Sequence, residues 1–70
     1  NNTSYYNKVN ELINKAEIQY DKGMGDNASF NINEAIQVAN NIPDWDDRFK
    51  ALTNISNILY NLSNSICSKE

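Results

Sequence analysis

Only two places in this 70-residue chain are built to stop a helix. Both glycines stand in Gly23-Met24-Gly25, and the single proline is Pro43. Glycine enters the left-handed conformation that ends helices at little cost. Proline lacks an amide proton and clashes with the preceding turn, so it cannot continue one. Between these stops the apolar residues recur every three or four positions, which is the period of a helix. No segment alternates long enough to argue a strand.

The first stretch predicts a helix over residues 4–22, with Tyr5, Val9, Leu12, Ile13, Ala16 and Tyr20 on one stripe. Thr3 or Ser4 can cap it, and Gly23 ends it. The second predicts a helix over 27–42, with a stripe of Ala28, Ile32, Ala35, Ile36, Ala39 and Ile42. Its cap is open among Asp26, Asn27 and Asn31, the last with Glu34 at capping-box spacing. After Pro43, Asp44 caps a third helix over 44–66, and Asp46 and Asp47 suit the positive end of its dipole. Leu52, Ile55, Leu59, Leu62 and Ile66 make its apolar face, with Trp45 and Phe49 at the flank. Arg48 falls on the apolar side, where its stem packs at the rim and its head seeks a carboxylate or water. Short connections make successive helices antiparallel. The expected fold is all-α: one small domain spanning 1–70, three antiparallel helices running up-down-up, as a closed bundle or a fragment of a helical repeat.

A chain of this length buries a thin core, worth roughly 3–5 kcal/mol without a staple. Cys67 is the one cysteine and there is no histidine, which excludes a disulfide-rich scaffold. Marginal stability is the expectation, so a second copy, a partner or further chain would help. Without histidine a serine or cysteine triad of the usual kind is impossible, and the chain reads as no enzyme and as needing no cofactor. The trio Asp44, Asp46 and Asp47 reads as a helix start rather than a cation site. The stretch around Gly23 and Gly25 fits neither a phosphate-binding loop nor a calcium loop. Nine acidic against six basic residues give a net charge of −3, with one arginine and scattered lysines, which argues against nucleic acid. No apolar run approaches the roughly 20 residues that span a bilayer, so no membrane is expected and the cytoplasm is the expected location.

The frame from Leu12 to Pro43 carries Leu12, Ala16, Gly23, Ala28, Ile32, Ala35 and Pro43 at positions that alternate small and large along two helices. In this it resembles a tetratricopeptide repeat, a pair of antiparallel helices that stacks into solenoids. Gln19 stands at the usual aromatic position and Pro43 comes about three residues late. The resemblance implies a groove for an extended peptide, lined by Asn10, Ile13, Glu17 and Tyr20 from the first helix. Asp47, Lys50, Asn54 and Asn57 would line it from the third.

The expected function is a non-catalytic protein–protein interaction module. A small stoichiometric inhibitor, such as an immunity protein, an antitoxin or a phage or plasmid anti-defence protein, is the alternative. Trp45, Tyr20 and Tyr60 are the candidate anchors, since Trp and Tyr are favoured at interfaces. Glu17, Asp47, Arg48, Lys50, Asn54, Asn57 and Asn61 complete the candidate partner-binding set. Most other aromatics, in a chain with so little else apolar, are expected in the core, with Tyr6 beside Trp45 and Tyr60 as the least inward. Fourteen asparagines and eight isoleucines match the bias of AT-rich coding. Asn54, Asn57, Asn61 and Asn64 read first as the wet side of the third helix, or as a groove floor if a groove forms there. Sequons at Asn1, Asn2, Asn27, Asn54 and Asn61 are weak glycan acceptors where they lie in mid-helix.

Overall fold

The structure is a computed structural model that describes the backbone of residues 3–68 and the side chains of 3–64. The side chains of Ile66 and Cys67, and residues Asn1 and Asn2, lie outside the described residues. Among those described there are three helices and no strand: α1 (Thr3–Asp21), α2 (Gly25–Asn40) and α3 (Trp45–Ser68). At 1.5 Å per residue they are about 28, 24 and 36 Å long. The molecule measures 41 × 17 × 14 Å. Only its long axis can hold such helices, so short links force each to reverse the direction of the last. The fold is an up-down-up three-helix bundle.

Both turns follow from their residues. Gly23 takes φ +79°, the conformation that glycine alone adopts freely. The Gly23 amide donates to the Tyr20 carbonyl at 3.0 Å and the Met24 amide to the Gln19 carbonyl at 2.8 Å. This Schellman pairing satisfies carbonyls that the helix end would orphan. At the second turn Asp44 Oδ2 accepts the Asp47 amide at 3.0 Å, the cap expected of it. The guanidinium of Arg48 donates through Nη1 to the Ile42 carbonyl at 3.0 Å. Its head therefore finds a backbone carbonyl of the turn, where a carboxylate or water was expected.

The start of α2 corrects the sequence reading. The helix begins at Gly25, its N-cap is Met24, and no side chain caps it. Asp26, Asn27 and Asn31 all lie inside it. Asn31 is 6% exposed, and its Nδ2 donates to Gln19 Oε1 at 2.7 Å and to the Asn27 carbonyl at 3.2 Å. The residue weighed as a cap is a buried link to α1.

The core is aliphatic. Val9, Leu12, Ile13, Ala16, Ala28, Ile32, Ala35, Ala39, Ile42, Ala51 and Ile55 are buried. Alanine at Ala16, Ala35 and Ala39 lets α1 and α2 approach closely, and that contact is the most extensive of the three. The positions behind the repeat resemblance, Leu12, Ala16, Ala28, Ile32 and Ala35, all lie in this core. A core so thin leaves no room for rings. Tyr5, Tyr6 and Tyr20 are half-buried at its edge, while Phe30, Trp45, Phe49 and Tyr60 are exposed. The expectation that most aromatics are core fails for this reason. Tyr6, expected outward, instead packs at the edge and donates its hydroxyl to the Asp47 carbonyl at 3.1 Å, tying α1 to α3.

Of the described helices α3 is the longest, at 24 residues against 16 in α2. Counting 16 residues back from the second turn reaches Tyr60, level with the start of α2. Beyond that point α3 runs past its neighbour. No helix among the described residues is long and apolar enough to cross a membrane.

Candidate functional site

Three strips run along α3. Ala51 and Ile55 are buried, and Leu52, Ile58 and Leu62 pack at their edge, forming the face that meets α1 and α2. Asn54, Asn57, Asn61 and Asn64 are exposed together with Lys50. This is the carboxamide face, the wet side of the third helix. The remaining strip is apolar and also exposed: Trp45 at 65%, Phe49 at 56%, Leu59 at 41% and Tyr60 at 60%. Leu59 was expected inside. It falls at the edge of the buried face, where α2 ends its cover.

Trp45 and Phe49, one turn apart, stack with ring centroids at 5.6 Å and planes at 7°. The pair presents one flat apolar plate to solvent, already ordered before any partner arrives. Next to Leu59 lies a cleft of about 450 Å³ between α2 and α3. Ala28, Ile32 and Ile36 contribute apolar walls from α2, Leu59 closes it from α3, and Tyr20 lies at the α1 end. Ser29, Asn33 and Asp26 make its polar rim.

The candidate residues therefore divide. Trp45 and Tyr60 share the aromatic flank, and Tyr20 lines the adjoining cleft. Lys50, Asn54, Asn57 and Asn61 lie on the other exposed face and carry no apolar anchor. Arg48 and Asp47 are half-buried and serve the second turn, through the bonds to the Ile42 carbonyl and from Tyr6. Glu17 is half-buried on α1. Ile13 is only 3% exposed, so the peptide groove implied by the repeat resemblance loses a floor residue to the core.

Phe49, Leu59 and Ile36 were not among the candidates. A signal for two of them was present. Trp45, Phe49, Leu52, Ser56, Leu59 and Ser63 follow steps of four, three, four, three and four. That is a second seam at the coiled-coil spacing, beside the one that faces the bundle. Ile36 needed the packing of α2 on α3, which the sequence pattern does not contain.

Among the described residues, acidic side chains cluster at the second turn, at Asp44, Asp46 and Asp47. They help hold the Tyr6 hydroxyl above its ordinary pKa of 10.0: partial burial contributes most, then the hydrogen bond at Asp47, then the charges of Asp47, Asp44 and Asp46. Among the described residues no group of three or more His, Cys, Asp or Glu side chains is gathered so as to hold a metal ion. No protein-family model, no curated protein and no solved structure matches this chain.

Proposed function

We propose that this chain is a non-catalytic protein-binding module whose contact surface is the aromatic flank of α3 and the cleft beside it. The supporting observation is the exposure of Trp45, Phe49, Leu59 and Tyr60 along one side of one helix. Single exposed apolar residues are ordinary, but two such pairs, Trp45–Phe49 and Leu59–Tyr60, on one side of a helix with Leu52 half-buried between them favour a contact surface. Trp and Tyr are also the residues most enriched among interface hot spots. The carboxamide face has neither property and is the solvent side.

Site-specific photocrosslinking tests this reading. A benzophenone side chain replaces Phe49 in one variant and Asn57 in another, and each is irradiated in its native cell extract. Adducts from position 49 and none from 57 support the aromatic flank. Equal adducts at both positions, or none at 49, would sink it.

A further inference from the structure

The spacing on the flank says what kind of partner fits it. We propose that the partner is a second copy of this chain, with α3 lying antiparallel on α3 of the other copy and Phe49 of each seated in the cleft of the other. This rests on the binding reading above and names its partner.

Four observations converge on a second copy. The flank follows the 4-3-4-3-4 steps from Trp45 to Ser63, and that period keeps a seam facing a neighbouring helix. An extended strand or a flat surface has no use for it. The seam also grades in size, with its large side chains at Trp45, Phe49 and Leu52 and its small ones at Ser56 and Ser63. Set antiparallel about an axis midway between Leu52 and Ser56, Trp45 meets Ser63 of the second copy, Leu52 meets Ser56, and Phe49 meets Leu59. Two of these three pairings set large against small, which holds two helices at even separation. A parallel pairing would set ring on ring at Trp45 and serine on serine at Ser56 and Ser63, giving a wedge and two gaps.

The third observation is charge. The chain carries −3 overall, yet residues 51–68 contain no Asp, Glu, Lys or Arg, and none of the six seam residues is charged. A surface that must meet its own copy suffers like-charge repulsion wherever it is charged. The seam itself is therefore free of like-charge repulsion, and the one acidic residue on the cleft rim is Asp26. The fourth is the cleft. In the antiparallel register Phe49 of the second copy lies beside Leu59, which is one wall of the 450 Å³ cleft. Ile32 and Ile36 form the opposite wall. A rigid aromatic anchor thus has an apolar socket, and two-fold symmetry repeats the contact in reverse, as an isologous interface requires.

Sedimentation equilibrium on the full chain gives the first readout. Wild type is expected at twice 8.0 kDa. Ser56→Glu places two like charges near the symmetry axis, and Phe49→Lys removes the anchor. Both positions are exposed, so both variants should keep their helical circular dichroism and sediment at 8.0 kDa. Asn57→Glu, on the carboxamide face, should remain a dimer. Spin labels on Asp46→Cys, with Cys67→Ser, report orientation. They should lie roughly 25 Å apart in the antiparallel pair and about 10 Å apart in a parallel one. A monomeric wild type, a dimer insensitive to both seam variants, or the short label distance overturns the proposal. The crosslinking variant at position 49 separates the two readings. An adduct to a different protein with a monomeric chain overturns the self-pairing and leaves the binding module standing. No adduct at all overturns both.

Discussion

Asn31 is the buried polar side chain among the described residues, and its Nδ2 donates to both Gln19 Oε1 and the Asn27 carbonyl. A buried amide without partners costs about 1–3 kcal/mol, whereas a satisfied one contributes only about 1 kcal/mol net. The pair therefore acts chiefly on register. A slip of α1 along α2 would strand both groups, while the alanines around them would tolerate it. Asn31→Ala is expected to lower stability by about 1–2 kcal/mol in urea titration. A double-mutant cycle with Gln19→Ala should return a coupling of about 0.5–1.5 kcal/mol, and a coupling of zero would remove the pair from the account. Tyr6 supplies the corresponding tie between α1 and α3. Its folded pKa is raised above 10.0 because burial, the hydrogen bond at Asp47 and the nearby carboxylates all favour the neutral phenol. Below the unfolded value both states are protonated and the contribution is fully present. As pH rises through the folded value it is lost, because the unfolded chain gives up its proton first. Tyr6→Phe should lower stability at neutral pH and should flatten the alkaline loss of stability, measured by urea titration across that range. Neither tie was legible beforehand. Asn31 has the composition of a helix cap and Tyr6 that of a surface ring, and only the docking of α1 on its neighbours assigns them otherwise.

At the scale of the element, the helices were legible because their stops are so few. Gly23, Pro43 and Asp44 end or begin a helix by local chemistry, and the structure places each where that chemistry predicts. The two glycines, although one residue apart, do different things. Gly23 has φ +79°, which a side chain adopts only with strain, although a Cβ there would meet nothing within 4 Å. Gly25 begins α2 with an ordinary φ and equally open space. Gly23→Ala should therefore destabilise by about 1 kcal/mol, and Gly25→Ala should stabilise by about 0.5–1 kcal/mol. Thermal melts of the two variants beside wild type read the opposite signs directly, and two shifts in the same direction would contradict this account of the turn. The start of α2 was less legible. Its first regular bond is the Ala28 amide donating to the Met24 carbonyl at 3.0 Å, and no side chain caps the turn before it to announce the start. The apolar width of α3 was legible but not its division. One helix can bury a face only as wide as its neighbours, and two neighbours do not cover both seams.

At the scale of the whole molecule, thin core and surplus surface are the same fact. A bundle with alanine at so many of its contacts holds its helices close and encloses little, so the large side chains of α3 must remain outside or find cover elsewhere. Small scaffolds without disulfides or metals commonly gain the missing stability by oligomerising. If α3 is covered by α3 of a second copy, folding and association become one transition, and stability depends on concentration through mass action. With the usual enthalpy per residue, taken over both chains, a hundredfold rise in concentration should lift the thermal midpoint by about 10 °C. Ser56→Glu should melt at a lower midpoint that does not move with concentration, because its bundle folds alone. Circular dichroism melts at the two concentrations, for wild type and Ser56→Glu in parallel, test this. A wild-type midpoint independent of concentration would mean that α3 stands uncovered in solution and that the three-helix core is sufficient without it.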